Sequence, residues 1–217
     1  MTTGLLGILM LRTRFPRLPG DVGHPGSFSM PIRHWVVDQA TPQRVVRDAD
    51  PLLLQAFIDA AQALVMQGAV AITTSCGFLV RFQRALQAAV PVPVWTSSLL
   101  KLPELSRPGV ITVDAGSLDA ACLLAAGADP RTPVEGLAQG CALQRTLLED
   151  LPGLDVDQAE AQVLAAARRL LQGHPGIESL VLECTNLPPY APALERATGL
   201  PVHHLMSLVH ERYARLK

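Results

Sequence analysis

Residues 68–94 read GAVAITTSCGFLVRFQRALQAAVPVPV, and residues 176–202 read GIESLVLECTNLPPYAPALERATGLPV. Laid over one another, 108 residues apart, the two segments hold one register from end to end with no gap. Glycine opens both (Gly68, Gly176), a cysteine stands eight residues on (Cys76, Cys184), and an aromatic follows six residues later (Phe82, Tyr190). Ala85-Leu86 matches Ala193-Leu194, Ala89 matches Ala197, and Pro93-Val94 closes the first segment as Pro201-Val202 closes the second. An offset of half the chain is what an internal duplication leaves.

In each copy a short β-prone apolar run, Ala69–Thr74 and Ser179–Glu183, leaves a glycine turn and ends at the cysteine, as buried parallel strands do. Helical periodicity follows over Leu79–Val90 in the first copy. In the second, the Pro188-Pro189 pair suits a helix start and Tyr190–Ala197 continues it. Another helix precedes each copy, at Pro51–Gln67 and Asp157–Gln172. This alternation predicts an α/β protein of two pseudosymmetric lobes, each a short parallel sheet flanked by helices and joined by right-handed crossovers. Strands at Leu5–Leu11 and Val110–Val113 start the lobes, and the last helix, Leu205–Leu216, packs back on the first. The division expected is residues 1–100 plus 205–217 for the lobe carrying Cys76, and 101–204 for the lobe carrying Cys184. Ligands of parallel sheets bind beyond the carboxyl ends of the strands, so the interlobe cleft is the expected site, with both cysteines in it. The Gly- and Pro-rich stretch Pro19–Pro31 is long for a connection and is a candidate lid.

Hydrophobic residues make up 49% of the 217 residues and charged residues 17%, the composition of a tightly packed globular protein, with a homo-oligomer compatible. With 18 basic against 19 acidic side chains there is no basic stripe for nucleic acid or an anionic membrane, and neither is expected as a partner. Arg12, Arg14 and Arg17 follow the apolar run Leu5–Leu11 instead of preceding it, the wrong order for a secretory signal. No stretch approaches the ~20 apolar residues of a membrane span. A cytoplasmic location is expected. The four cysteines (76, 122, 141, 184) contain no CxxC or CxxxH pair, so neither a disulfide framework nor a zinc site is expected, and no metal or cofactor. Cys122, in the apolar helical run Leu118–Ala126, and Cys141 read as inert core thiols.

The chemistry concentrates in the two turns. Thr74, Ser75, Cys76 and Gly77 make one, and Cys184, Thr185 and Asn186 the other. A thiol at a helix start faces free backbone N–H groups and the positive end of the dipole, which predicts a pKa lowered toward neutrality. The same groups can hold a substrate carboxylate. Gly77 permits close approach of a ligand to the backbone, while the hydroxyls of Thr74, Ser75 and Thr185 and the amide of Asn186 supply hydrogen bonds. Arg14, just past the first strand, is the candidate carboxylate clamp. His203 and His204 follow a strand and are candidates for either the site or a structural role. Two thiols on opposite faces of a carbon suit a reaction in which one removes a proton and the other returns one, and that reaction is racemisation or epimerisation of a small chiral carboxylate.

The motifs Ile72-Thr73-Thr74-Ser75-Cys76-Gly77 and Leu182-Glu183-Cys184-Thr185-Asn186, set in two matched lobes, resemble the aspartate/glutamate/hydantoin racemase superfamily. That resemblance implies a cofactor-independent isomerase with Cys76 and Cys184 as its acid/base pair. Asn186 stands where many of those racemases carry an acidic residue or histidine after Cys-Thr, and Arg12-Thr13-Arg14-Phe15-Pro16 stands where they carry a Gly-Gly turn, which sets this chain apart within the superfamily. The scaffold also implies alternatives: maleate cis-trans isomerisation, arylmalonate-type decarboxylation, or a small-ligand-binding protein of the same fold.

Overall fold

The computed structural model describes residues 4–216; residues 1–3 and 217, the outer limits of the expected division, lie outside it. The first sheet is built from β1 (Leu5–Leu11), β2 (Ile32–Val37), β3 (Ala69–Thr74) and β4 (Val94–Trp95), and all its pairings are parallel in the order β2-β1-β3-β4. Helices α1 (Leu54–Met66) and α2 (Gln83–Ala89) flank it. The second sheet repeats the order as β6-β5-β7-β8, with β5 (Pro108–Thr112), β6 (Val134–Gly136), β7 (Ser179–Leu182) and β8 (Val202–His204) again all parallel. Around it stand α3 (Ala120–Ala125), α4 (Ala142–Leu148), α5 (Val156–Gly173) and α6 (Ala191–Thr198), and α7 (Leu205–Ala214) ends the described chain. The α/β reading from the sequence is the observed architecture, and the sheet orders carry the duplication into three dimensions. No helix of the described residues is long and apolar enough to cross a membrane.

The side-chain period of two explains why β1 is apolar throughout. Leu9 and Leu11 face the large core, together with Phe57, Leu64 and Ile72. Leu6, Ile8 and Met10 face a second cluster, closed by Leu205, Leu208, Val209 and Tyr213 of α7. Both faces are covered, as parallel sheets require. The Tyr213 hydroxyl donates to the Gly4 carbonyl, tying α7 to the start of β1. Helix starts are fixed locally: the Asp119 side chain accepts from the Cys122 amide at 3.0 Å and the Asp155 side chain from the Gln158 amide at 3.0 Å.

Some elements differ from the expectation. Strands β2 and β6 went unread because Arg33, His34 and Glu135 interrupt their apolar runs; both are edge strands, where one row of backbone groups is unpaired and polar side chains are tolerated. The helix expected over Leu79–Val90 begins as a 3-10 turn at Gly77–Phe82 before α2. A 3-10 turn at Pro188–Tyr190 stands at the matched place before α6.

Candidate active site

β3 ends at Thr74 and β7 at Leu182, so the chain leaves each sheet into a turn whose second residue is a cysteine. The turns meet across the two sheets. Thr185 Oγ1 donates to the Ser75 carbonyl at 2.6 Å, and Ser98 Oγ donates to the Leu182 carbonyl at 2.6 Å. Between them lies an enclosed cavity lined by Ser75, Cys76, Gly77 and Phe78 from one side and by Glu183, Cys184, Thr185 and Asn186 from the other. Leu11, Phe15 and Arg17, from the end of β1 and the loop beyond it, add to the wall, and Pro42, Val46, Val113, Leu147 and Leu148 close the rest. The free space is about 30 Å³, room for a water-sized group, so a larger ligand enters only when the walls part.

Cys76 and Cys184 are therefore brought together, both buried. Ser75, Gly77, Thr185 and Asn186 line the same cavity. Thr74 does not: its hydroxyl donates to the Thr96 carbonyl at 2.7 Å and holds the turn. Arg14 is not in the wall either. Its side chain is 73% exposed and pairs with Asp150, so the expected carboxylate clamp is corrected. The arginine at the cavity is Arg17, 13% exposed, held by Asp21 Oδ1 at 3.0 Å and Thr13 Oγ1 at 3.0 Å and stacked 4.6 Å over the Phe15 ring. Two loop residues, Phe15 and Pro16, separate the two arginines, and only the path of the chain after β1 decides which turns inward. His204 Nδ1 accepts from the Ser207 amide and caps α7, and burial carries its pKa down to about 4; neither it nor His203 lines the cavity. Cys122 is in the core as expected, whereas Cys141, read as core, is only half-buried at the start of α4.

The expected lowering of the thiol pKa values is also corrected. The backbone N–H two residues on does favour each thiolate, Phe78 for Cys76 and Asn186 for Cys184, as the turn geometry dictates. Burial outweighs it and pushes both thiols up, and the neighbouring Glu183 carboxylate adds to the rise. Arg17 acts in the opposite sense on Cys76. Cys184 Sγ donates to Asn186 Oδ1 at 3.6 Å, and Asn186 Nδ2 in turn donates to Asp21 Oδ2. This chain of contacts brings the Gly/Pro-rich loop, through Asp21, to the second thiol.

Sequence reasoning missed Glu183, Asp21 and the two phenylalanines in the wall, Phe15 and Phe78. Glu183 carried a signal, a charge at the end of an otherwise apolar buried strand. It has no solvent exposure, and burial lifts its pKa to about 8.

Paired parallel sheets with a thiol at each strand end place the protein in the fold of the aspartate/glutamate/hydantoin racemase superfamily, as the resemblance of the two turns implies. Solved structures agree. Unliganded arylmalonate decarboxylase superposes with a TM-score of 0.63 at 19% identity, covering 99% of this chain and 92% of its own. Allantoin racemase from Klebsiella pneumoniae gives 0.66 at 17% identity over 97% and 87% of the two chains. An aspartate racemase homologue from Pyrococcus horikoshii gives 0.58 at 16% identity over 100% and 99%. No family model matches the chain.

Curated relatives are more similar in sequence. Dimethylsulfoniopropionate lyase 3 of Emiliania huxleyi (strain CCMP1516) is 31% identical over 97% of this chain, and a dimethylsulfoniopropionate lyase of Durusdinium sp. clade D is 29% identical over 91%. The chain spans 59% and 70% of the length of these two relatives. Their names overturn the expectation of a racemase, hydantoin racemase or other isomerase: the relatives that match nearly the whole chain are lyases. The thiol pair by itself does not distinguish an isomerase from a lyase, because an acid/base thiol that takes a proton from carbon can serve either. Of the readings the sequence left open, the superfamily's other chemistry fits better than the two-base racemase.

Proposed function

We propose that the protein is a lyase acting on dimethylsulfoniopropionate or a close β-sulfonio carboxylate, with Cys76 as the base. The observation that carries this is two buried thiols on one cavity shared with a fixed arginine, in a chain whose relatives are dimethylsulfoniopropionate lyases. The substrate is a zwitterion, with a carboxylate at one end and a dimethylsulfonium two carbons away. The N–H donors of Arg17 that Asp21 and Thr13 leave free receive the carboxylate. The Cys76 thiolate takes a proton from the adjacent carbon. The electrons of that C–H bond form the carbon–carbon double bond, the C–S bond breaks with its pair on sulfur, and neutral dimethyl sulfide and acrylate leave. The proton passes from Cys76 to water, which restores the thiolate for the next turnover.

The raised thiol pKa fits this chemistry. An empty apolar site disfavours an isolated thiolate, but the sulfonium brings its own positive charge into the same low-dielectric space and favours the anion beside it. Phe15 and Phe78 line the same cavity, where an aromatic ring can hold a sulfonium cation. The neighbours of the two thiols separate their roles. Arg17 favours charge on Cys76, whereas Cys184 gives its proton to a hydrogen bond with Asn186 and is held as the thiol, a donor toward the developing enediolate. Elimination needs only one base, so the second thiol is free to remain an acid. Opening of the Gly/Pro-rich loop admits the substrate to the small cavity.

Incubation of the purified protein with dimethylsulfoniopropionate, without added cofactor, with headspace measurement of dimethyl sulfide and chromatographic measurement of acrylate, tests the reading. Stoichiometric release of both supports it. No release by protein that is folded, as shown by circular dichroism, overturns it.

A further inference from the structure

Glu183 is the buried group in the cavity wall that the elimination does not use. Its Oε2 accepts from Thr112 Oγ1 at 2.6 Å, and its Oε1, also buried, has no hydrogen-bond partner among the described residues. Gly77 of the opposite turn rests directly on it: a β-carbon built on Gly77 would collide with both the backbone carbonyl and Oε1 of Glu183. The carboxyl group is thus clamped between the two thiol turns. From the elements packed around it, the titratable or charged groups are Cys76 at the end of β3, Cys184 next in sequence, Cys122 on α3, Tyr190 after the second turn, Arg17 and Asp21 on the loop after β1, and Arg81 of the turn that begins at Gly77, which pairs with Asp119 at the start of α3. Glu183 raises the pKa of each of the three cysteines, and no cation among these groups pairs with it.

We propose that Glu183 is a positioning residue for the thiol pair that serves as a neutral carboxylic acid, and that its ionisation closes the site by denying Cys76 its thiolate. This rests on the reading of the thiols as the reactive centre and deepens it by naming what sets their ionisation. A buried carboxyl with one unpaired oxygen is costly as an anion and tolerable as an acid. In the acid form it places no negative charge beside Cys76, and the thiolate competes only with its own burial. Once ionised, the same group adds a like charge a few atoms from the sulfur. The raised pKa of Glu183, about 8, places the change on the alkaline side of neutrality.

The test uses iodoacetamide on the intact protein without substrate, so it does not depend on any lyase activity. Alkylation of Cys76 is followed by peptide mass spectrometry from about pH 6 to about pH 10, in the parent and in Glu183→Gln, because only the thiolate reacts. A lone thiol below its pKa gains about tenfold in rate per pH unit. The parent profile is expected to bend above about pH 8 while Glu183→Gln keeps rising, leaving the variant at least about fivefold faster at the alkaline end. Parallel profiles, or a variant slower at every pH, overturn the proposal. Infrared spectroscopy supplies a second readout, since a protonated carboxyl band near neutral pH should vanish above the bend and be missing in Glu183→Gln. Its absence from the parent at neutral pH also overturns it. If Glu183→Gln fails to fold, Thr112→Val removes the hydroxyl that favours the carboxylate, and the bend must then move to higher pH. Failure of dimethyl sulfide release alongside a normal bend would reject the lyase and leave this inference standing.

Discussion

The two thiol turns occupy equivalent places in equivalent sheets, yet hardly any matched pair of positions around the cysteines does the same work. Ser75 corresponds to Glu183 in the duplication. The serine hydroxyl accepts from the Leu11 amide at 2.9 Å and closes off the end of β1, while the glutamate has a free buried oxygen. Gly77 corresponds to Thr185. Glycine is forced by the press of Glu183, and the threonine side chain reaches back to the Ser75 carbonyl. Phe78 corresponds to Asn186, so one thiol is followed by a ring and the other by a hydrogen-bonded amide tied to Asp21. What the backbone repeats is the strand end and the N–H aimed at sulfur. What the side chains change is the charge each sulfur can carry, and that asymmetry suits an elimination better than the exchange of protons between two equal bases.

The comparison breaks first at the cysteines. Cys76→Ser should lower the rate of dimethyl sulfide release by at least ~100-fold, because a hydroxyl is too weak an acid to stand ionised in place of the thiol. Cys184→Ser keeps a hydrogen-bond donor and should cost about tenfold, the worth of one good hydrogen bond. Equal losses would mean that the two turns act as equivalents and that the roles assigned from Arg17 and Asn186 are wrong.

The second difference is steric. Gly77→Ala should destabilise the protein by about 1–3 kcal/mol in chemical denaturation, as overpacking against a fixed neighbour does, whereas Thr185→Ala should cost about 1 kcal/mol for its lost hydrogen bond. A Gly77→Ala protein as stable as the parent would show that Glu183 has room to move.

The third concerns pH. Glu183 has a raised pKa in the folded state, about 8 against an ordinary 4.5, so the native protein binds more protons than the unfolded chain between those values. Stability should therefore fall as pH rises through that window, with a contribution of at most about 1.4 kcal/mol per unit from this group, and level off above it. Glu183→Gln should flatten that slope, and thermal melts at a series of pH values would show it. An unchanged slope would mean that Glu183 titrates normally.

The last contrasts set groups outside the cavity against groups in its wall. In the resting protein at neutral pH, Cys141 should be alkylated before Cys76 and Cys184, because it is half-buried while they are enclosed. Prior labelling of either cavity thiol in peptide maps would contradict the closed site. Arg14→Ala should change activity by less than about twofold, as expected for an exposed ion pair, whereas Arg17→Ala should raise KM by about tenfold or more. Similar effects of the two would return Arg14 to consideration as the clamp.

The sequence by itself determined the duplication, the α/β class and the placement of a cysteine after each inner strand, because all three are local: alternating apolar runs, glycine turns and helical periodicity are written over stretches of a few to a dozen residues. Edge strands such as β2 escaped it, since a half-solvated strand tolerates Arg33 and His34 among its apolar residues. The sequence also left the reaction open, because an acid/base thiol pair suits several chemistries, and it is the similarity to dimethylsulfoniopropionate lyases, not the motif, that argues against the racemase. Only the tertiary structure decided that Arg17 turns inward and Arg14 outward, that the thiols are raised although both stand where a backbone N–H favours charge, and that Glu183 is caught between the turns with one oxygen unpaired. Each of these depends on how much water the whole packed surroundings exclude, and burial sums over neighbours from β1, β3, β5, β7 and the loop after β1, which no single stretch of sequence contains.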